Sequence, residues 1–331
     1  MLAEAEMCAA YNLLIDAHHK NMKAVSLFSG CGGSDAGVVA AGFDVVMAND
    51  KLAYARDVYE ANHPCTDYRL GDITNIATFP AAELLVGCYP CQGFSQGGVR
   101  DPGRKINKLY LEFARALCQV RPKAFIVENV SGMVRRNFSH LLQDQIKVFG
   151  EAGYRVEAQV LNAADFGVAQ ERKRIFIVGL RDDLGLEYTF PEPTHSDASR
   201  VTIGKALEGM PEWPEGEFYA RDFHWYYLSR DRRRGWDEVS KTIVANPRHM
   251  PLHPSSPRLK KLEHNVWEFE GPGRARRFSY REAARLQGFA PGLVFPDSAA
   301  GSLDMRYKVV GNAVPPPLFE AVARALPSVW D

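Results

Sequence analysis

The chain has 331 residues, enough for about two domains of ~150 residues, and its 46% hydrophobic and 24% charged residues are ordinary for a globular protein. No apolar run approaches the ~18 residues of a membrane span, and no signal peptide precedes the first strand. The six cysteines are too few and too scattered for a disulfide framework, so a reducing, cytoplasmic location is expected. Membrane, collagen-like and disordered classes are excluded.

The zero net charge hides an uneven distribution. Residues 221–285 carry 15 Lys or Arg against 8 Asp or Glu, a surplus of seven, and the rest of the chain has the matching deficit. A solvated surface rich in arginine would explain this surplus. A segment that binds a polyanion by neutralising its phosphates would explain it equally well.

Apolar strands alternate with helical segments over the first 180 residues. Strands are predicted at 24–28, 44–48, 84–86, 124–127 and 174–178, and helices at 3–15, 35–41, 52–62, 109–119 and 138–149. This alternation predicts an α/β fold with a parallel sheet and helices on both faces.

The pattern changes near Tyr188. From there to about Pro272, residues of Pro, Trp, Tyr, Arg and His are frequent and no periodicity is sustained, which predicts a smaller, mostly irregular or β domain. Helices are predicted again at 279–286, where Ser279 and Glu282 form a capping box, and at 318–326. The predicted division is an N-terminal extension, 1–22, a main domain, 23–188 and 273–331, and the smaller domain, 189–272.

Polar residues follow the predicted strands. The first strand leads into a Gly-rich turn at 29–33, and the second ends at Asp50, about 20 residues further on, where a carboxylate can accept from ribose hydroxyls. Asp72 is placed to accept from an adenine amino group. Together these features favour a cofactor that contains adenosine. The turn lacks the G-x-G-x-x-G spacing of NAD-binding proteins, and the chain has no G-x-x-x-x-G-K-[ST].

A C-x-x-C from Cys88 to Cys91 follows the third predicted strand, and it has three interpretations. A zinc site needs a second ligand pair, and none is evident. A redox pair would follow a strand in this way, but it does not need a nucleoside-binding turn upstream. A single nucleophile at Cys91 needs a nearby acid, and Glu128 ends the adjacent predicted strand.

Over residues 24–326 the ordered motifs resemble those of bacterial DNA (cytosine-5)-methyltransferases of restriction–modification systems. The matching segments are FSGCGG at 28–33, Asp50, Asp72, PCQ at 90–92, ENV at 128–130, QERKR at 170–174, RLQGF at 285–289 and GNAV at 311–314. The sequence departs from the family at Ala290, which precedes Pro291 where Gly-Phe-Pro is frequent, and at Asp50, where Glu is commoner.

The resemblance implies a Rossmann-like S-adenosylmethionine-dependent methyltransferase sheet and transfer of a methyl group to C5 of a flipped cytosine in a specific duplex sequence, with no metal. Cys91 is then the thiolate that adds to C6, and Glu128 stabilises the protonated ring. Arg174 and Arg172 hold the O2 edge or a flanking phosphate. The group that removes the C5 proton is not assigned. The product of the cofactor is S-adenosylhomocysteine.

The resemblance also implies the binding residues. Those for the cofactor are Phe28, Gly30, Cys31, Gly32, Gly33, Asp50, Lys51, Asp72, Ile73, Pro90, Leu109, Asn312 and Ala313. Those for DNA are Gln92, Ser95, Arg100 and Arg104 in the glycine-rich loop after Cys91, and Arg230, Arg232, Arg233, Arg234 and Arg248 in the 189–272 segment. This segment is expected to be the target recognition domain.

Double-stranded DNA is therefore the expected partner of a monomeric, nucleoid-associated protein. A cognate restriction endonuclease of the same system is a further candidate partner, and no direct contact with this protein is implied. One alternative is a tRNA cytosine-5 methyltransferase, although its late Cys-Phe-Thr signature is missing. The other is an inactive DNA-binding regulator, against which the intact Cys91, Glu128, Arg172 and Arg174 argue.

Overall fold

A computed structural model describes residues 22–90 and 108–327. Seven strands form one sheet in the order β3-β2-β1-β4-β5-β7-β6. Their bounds are β1 (Lys23–Leu27), β2 (Asp44–Asp50), β3 (Asp67–Leu70), β4 (Leu84–Gly87), β5 (Ala124–Val130), β6 (Tyr154–Asn162) and β7 (Lys173–Arg181). The pairings from β3 through β5 are parallel, whereas β7 runs antiparallel to both β5 and β6.

Helices lie on both faces of this sheet, as the sequence predicts. The α-helices of the described residues are α1 (Gly33–Ala40), α2 (Ala53–Asn62), α3 (Tyr110–Val120), α4 (Ser139–Glu151), α5 (Ile203–Ala206), α6 (Tyr280–Leu286), α7 (Leu303–Asn312) and α8 (Pro316–Arg324). Of these, α5, α6 and α7 pack together in a cluster separate from the two cores of the sheet. The predicted capping box opens α6, because Ser279 and Glu282 each accept the other's backbone N–H. The helix predicted at 3–15 lies outside the described residues.

The alternation of side chains along the strands builds a separate core on each face of the sheet. Leu84 and Val86 of β4 pack on one face with Phe319 of α8. Leu85 packs on the other face with Phe113 of α3 and Phe149 of α4. Strands covered on both faces read as continuous apolar runs, which is why β1, β4, β5 and β7 are visible in the sequence.

The expectation of a parallel sheet needs one correction. Only 10 residues, 163–172, connect β6 to β7, and they form no crossover helix, so β7 returns antiparallel to β6. Strands β3 and β6 and helix α7 are not predicted from the sequence. Both strands lie at the sheet edges: β3 has no buried residue, and exposed positions alternate along β6, so neither forms a continuous apolar run.

The 189–272 segment contains a two-stranded sheet, β8 (Leu259–Glu263) with β9 (Val266–Phe269), among short turns and irregular chain. Its apolar residues share one cluster with the C-terminal helices, since Ile243 and Met250 pack with Tyr280, Leu286 and Tyr307. The 189–272 segment is thus packed against α6 and α7. None of the helices in the described ranges is long and apolar enough to cross a membrane.

Candidate active site

The Gly-rich turn after β1 lies at the carboxyl end of the sheet. Phe28, Gly30 and Gly32 all have positive φ, and a Cβ on Gly33 would lie 2.4 Å from the carbonyl oxygen of Val314. A Cβ on Gly30 would instead meet no atom within 4 Å. The turn is therefore packed against the chain on one side and open at Gly30, where a ligand can approach the backbone.

Buried polar contacts hold this turn from below. The carboxylate of Asp35 accepts from Ser26 Oγ at 2.6 Å and from the hydroxyl of Tyr59 at 2.6 Å. The thiol of Cys31 donates to the carbonyl of Val309 at 3.4 Å, and burial raises its pKa to about 12. The side chain of Cys31 thus fixes the turn to α7, and Asp35 is a supporting residue that the sequence analysis missed.

Asp50 ends β2 beside the turn. Its Oδ2 accepts from the N–H of Gly30 at 3.0 Å, and its Oδ1 accepts from the N–H of Leu52 at 3.0 Å. Burial raises the pKa of Asp50, while these N–H groups and Lys51 lower it. The carboxylate therefore joins the turn to the start of α2, and it keeps further acceptor sites.

Asp72 follows β3 and is exposed. Its Oδ1 accepts from the N–H of Thr74 at 3.0 Å and from the Thr74 hydroxyl at 2.9 Å, and these hydrogen bonds lower its pKa. Each carboxylate oxygen has several acceptor sites, so Oδ2 can receive a further donor. The N–H of Gly71 donates to the carbonyl of Asp50 at 3.0 Å, which places the two acids at neighbouring strand ends.

The other predicted cofactor residues differ in their exposure. Ile73 and Ala313 are buried, Pro90 and Leu109 are half-buried, and Lys51 and Asn312 are exposed. The ring of Phe28 meets that of Tyr89 edge to face at 5.9 Å. The predicted cofactor contacts thus lie on the turn, the ends of β2 and β3, and the segments at 89–90, 109 and 312–313.

Glu128 and Arg174 form an ion pair at the end of β5. The register pairs Val130 with Arg174, and Nε of Arg174 lies 2.8 Å from Oε1 of Glu128. Burial raises the pKa of Glu128, whereas the charges of Arg174 and Arg172 lower it. A carboxyl whose pKa is raised in this way is suited to share a proton with a ligand.

Arg172 is buried, and its guanidinium binds three backbone carbonyls. Its Nη1 donates to the carbonyl of Ile243 at 2.9 Å, and its Nη2 donates to Gly311 and Ala313 at 3.0 and 2.9 Å. Its hydrogen bonds therefore go to the backbone, and its charge reaches Glu128 only through space.

Cys91 lies outside the described residues, as do Gln92, Ser95, Arg100 and Arg104. The chain that leads to Cys91 is described, and the carbonyl of Tyr89 accepts from Nδ2 of Asn129 at 3.1 Å. This contact ties the segment before Cys91 to the residue after Glu128.

Cys88 is the cysteine of the C-x-x-C that the structure describes, and its environment argues against a redox pair. Burial raises the pKa of Cys88 well above that of a free thiol, and the charge of Glu128 raises it further. A thiol of this kind is a poor nucleophile. Among the residues that the structure describes, no three His, Cys, Asp or Glu are grouped to hold a metal ion.

The five predicted DNA-binding arginines of the 189–272 segment divide into two groups. Arg230 and Arg248 are exposed; the first lies over the ring of Tyr226 at 5.6 Å. Arg232, Arg233 and Arg234 are half-buried. Arg233 donates to Ser256 and Pro254 carbonyls at 2.9 and 2.7 Å, so its guanidinium holds the chain.

The basic surplus of residues 221–285 is also partly buried. Arg276 pairs with Glu282 at 2.7 Å, and Arg277 donates to the carbonyls of Tyr219, Arg221 and Asp222. Both arginines are 1% exposed. The charge that faces solvent is therefore smaller than the sequence count indicates.

Aromatic residues that the sequence analysis missed lie beside Arg230. Trp225 is 81% exposed and Tyr226 is 39% exposed. The ring of Tyr226 lies 5.4 Å from that of His249, whose neighbour is Arg248. Large rings are seldom left so exposed unless they have a partner. The pair of aromatics ahead of an arginine run was the available signal.

Comparison with known proteins agrees with this geometry. The family described as C-5 cytosine-specific DNA methylase matches residues 22–328. The Type II methyltransferase M.BspRI of Lysinibacillus sphaericus is 36% identical over 342 residues, covering 91% of this chain and 80% of the relative. M.NgoPII of Neisseria gonorrhoeae is 36% identical over 329 residues, covering 92% and 95%.

Solved structures share the fold at lower identity. The methyltransferase EhMeth of Entamoeba histolytica has a TM-score of 0.70 at 14% identity, with coverage of 93% of this chain and 98% of that one. The Dnmt2 methyltransferase of S. pombe has a TM-score of 0.65 at 18% identity, with coverage of 92% and 96%.

The sheet and its flanking helices define a protein of the α/β class, with the fold of the solved methyltransferases above. Within that class, the chain belongs to the C-5 cytosine-specific DNA methylase family. It is a DNA (cytosine-5)-methyltransferase similar to those of Type II restriction–modification systems, and its family uses S-adenosylmethionine.

Proposed function

We propose that the protein methylates C5 of one cytosine within a specific double-stranded DNA sequence, with Cys91 as nucleophile. The observation that supports this most directly is the buried Glu128–Arg174 ion pair beside the chain that leads to Cys91. A buried carboxyl with a cation at 2.8 Å is suited to hydrogen-bond the ring edge of a base and to stabilise charge that develops there.

The proposed chemistry follows from the weak nucleophilicity of cytosine C5. The Cys91 thiolate forms a bond to C6, and Glu128 stabilises the proton at N3, so that the ring becomes an enamine. The bound cofactor would supply an electrophilic methyl group, and the electron pair of the broken S–CH3 bond would leave with sulfur as S-adenosylhomocysteine. After C5 is methylated, loss of the C5 proton to a base or water and cleavage of the Sγ–C6 bond restore the ring and the thiolate.

The residues of the crevice fit an adenosine-containing cofactor. Gly30 leaves space for close approach to the backbone, and exposed Asp72 keeps acceptor sites for an amino group. Asp50 can accept from ribose hydroxyls with the lone pairs that Gly30 and Leu52 do not use. We assign the remaining predicted cofactor residues to the same crevice.

The target carbon lies inside the stack of a duplex, so the nucleotide has to leave the helix before Cys91 can reach it. We assign contacts with the flanking duplex to Arg230 and Arg248, and we add Trp225 and Tyr226. These side chains are exposed and combine cations with stacking surfaces, a combination suited to phosphates and bases.

Incubation of the full chain with methyl-labelled S-adenosylmethionine and a plasmid that carries a randomised segment tests the proposal. Bisulfite sequencing should reveal 5-methylcytosine at one short sequence. Cys91→Ser should abolish turnover while cofactor binding persists, because a hydroxyl is a far weaker nucleophile than a thiolate. Methylation of tRNA but not of plasmid, or full activity of Cys91→Ser, would contradict the proposal.

A further inference from the structure

One peptide of the recognition segment is held from both sides by two buried side chains. The N–H of Ile243 donates to Oε1 of Gln170 at 2.9 Å, and the carbonyl of Ile243 accepts from Nη1 of Arg172 at 2.9 Å. Gln170 is 0% exposed and Arg172 is 2% exposed. We call Gln170, Arg172 and Ile243 the 243 clasp.

The other ends of the two side chains of the 243 clasp bind the catalytic part of the chain. Nε2 of Gln170 donates to the carbonyl of Leu286 at 3.0 Å and also contacts Gln287. Nη2 of Arg172 donates to Gly311 at 3.0 Å. The 243 clasp therefore connects the recognition segment to the end of α6 and the end of α7.

The fit around the 243 clasp leaves little room for adjustment. A Cβ on Gly311 would lie 2.3 Å from the backbone of Val244 and Ala245. Neighbouring strand-like contacts reinforce the join, because Glu171 N–H donates to Ser240 at 2.8 Å and the Thr242 hydroxyl donates to Glu171 at 2.6 Å. Displacement of Ile243 must therefore disturb the hydrogen bonds of Arg172.

The charge of the same guanidinium acts on the site. Arg172 precedes β7, two residues before Arg174, and its charge acts on Glu128 together with that of Arg174. The Nη atoms of Arg172 donate hydrogen bonds to three backbone carbonyls, and its Nε has no partner among the described residues. Its orientation relative to Glu128 is thus set by the carbonyls of Ile243, Gly311 and Ala313.

The chain beyond Ile243 runs directly to the exposed surface. The side chain of Asn246 accepts from the N–H of Arg248 at 3.0 Å and caps a short turn at Pro247–His249. Arg248 is five positions after Ile243, so the two lie within about 18 Å of each other even along a fully extended chain. A DNA duplex that binds Arg248 can therefore shift the backbone of the 243 clasp.

We propose that Gln170 and Arg172 are positioning residues that couple recognition of the DNA sequence to methyl transfer through the backbone of Ile243. The inference rests on the proposed function. The correct sequence seats residues 246–249 so that the clasp keeps the hydrogen bonds seen in the structure, and Arg172 then holds the Glu128–Arg174 pair in place. An incorrect sequence binds without that alignment and is methylated slowly, since only a ligand with different contacts in the two states can shift the equilibrium between them.

The test compares discrimination between sequences. The wild-type site is first found on a plasmid with a randomised segment, and duplexes with that site or with one altered base pair are then synthesised. For Arg172→Lys and for Gln170→Met, the ratio of kcat/KM between the two duplexes should fall about tenfold, as expected when an interaction between contacting groups is lost. The Kd of the correct duplex should change by less than about threefold, since neither side chain contacts DNA in this proposal.

Arg306→Lys is the matched control. Arg306 lies on α7, donates to the carbonyl of Gly301 and to the hydroxyl of Tyr280, and makes no hydrogen bond to Ile243. Its replacement should lower the Tm and leave discrimination unchanged. Equal losses of kcat/KM on both duplexes in the clasp variants would overturn the inference while the proposed function stands. Wild-type protein that methylates no plasmid would overturn both.

If Arg172→Lys does not fold, Gln170→Met decides the question alone, since it removes the hydrogen bonds to Ile243 and Leu286 without touching the charge near Glu128. Unchanged discrimination in a folded Gln170→Met would then overturn the inference.

Discussion

Nε of Arg174 lies 2.8 Å from Oε1 of Glu128, and the antiparallel register of β5 and β7 brings the two together across the sheet. In a parallel strand at this position, Arg174 would lie near the amino end of β5, at the opposite edge of the sheet from Glu128. The reversal of β7 is therefore part of the site, because it sets which cation meets the carboxylate.

The pH dependence of methyl transfer should report this pair. Burial raises the pKa of Glu128 and Arg174 lowers it, so Arg174→Gln leaves the burial and removes the opposing charge. The pKa of Glu128 should rise, and the limb of the pH–rate profile that reports Glu128 should move to higher pH. Single-turnover rates measured across the pH range check this, with Glu128→Gln as a reference that loses the limb and roughly 100- to 10,000-fold in rate. A limb that stays in place in Arg174→Gln would contradict the assignment.

Asp72 should contribute to cofactor binding through its free acceptor sites. Asp72→Asn keeps an oxygen that can accept from Thr74, whereas the amide nitrogen is a poor match for an adenine amino group. S-adenosylmethionine binding should weaken by roughly 1–3 kcal/mol, and DNA affinity should change little. Calorimetric titration of both ligands measures this. A variant with weaker DNA binding and normal cofactor binding would refute the role given to Asp72.

The redox interpretation of Cys88 and Cys91 has a direct test. Because burial keeps the pKa of Cys88 well above that of a free thiol and raises that of Cys31 to about 12, neither should react with iodoacetamide at pH 8. Exposed Cys118 should react readily. Peptide mapping by mass spectrometry gives the result. Rapid alkylation of Cys88, or loss of methyl transfer in a folded Cys88→Ala, would favour the redox pair.

Much of the catalytic sheet is predictable from the sequence because its central strands are buried on both faces. The edge strand β3 has no buried residue, and β6 has exposed polar residues at alternate positions. The antiparallel direction of β7 follows from the short connection to β6, and no local sequence pattern predicts that direction. The capping box of α6 is local and is confirmed. Contacts between residues that are close in sequence can thus be predicted, whereas the strands at the sheet edges depend on pairing between distant parts of the chain.

The burial of individual arginines is not predictable from the sequence. Arg172 resembles a catalytic cation by its motif, but the carbonyl of Gly311 that it binds lies 139 residues away along the chain. Arg277 similarly binds carbonyls 55 to 58 residues away. Burial of an arginine depends on such distant acceptors, so counts of charge overstate what faces solvent.

The two groups of arginines in the recognition segment should respond differently to truncation. Arg230→Ala removes an exposed cation, so DNA binding should weaken for all sequences and the salt slope should fall by about one unit. Arg233→Ala instead leaves the carbonyls of Ser256 and Pro254 without their donor, and stability should fall by roughly 1–3 kcal/mol. Binding titrations at several salt concentrations and thermal unfolding separate the two effects. Equal salt slopes in Arg230→Ala and the wild type would show that Arg230 does not hold a phosphate.

Trp225 offers the sharpest test of which surface meets DNA. Its ring is 81% exposed beside Tyr226, over which Arg230 lies, whereas Trp236 is 44% exposed and packs its ring against His253 at 5.0 Å. If Trp225 stacks on a base, its fluorescence should be quenched by duplex DNA, and Trp225→Ala should weaken binding by roughly 1–3 kcal/mol. Trp236→Ala is the matched control and should change the Kd of DNA by less than about threefold, since surface changes away from a contact are usually small. An unchanged Kd in Trp225→Ala, with quenching that persists in that variant, would move the DNA-binding face elsewhere on the recognition segment.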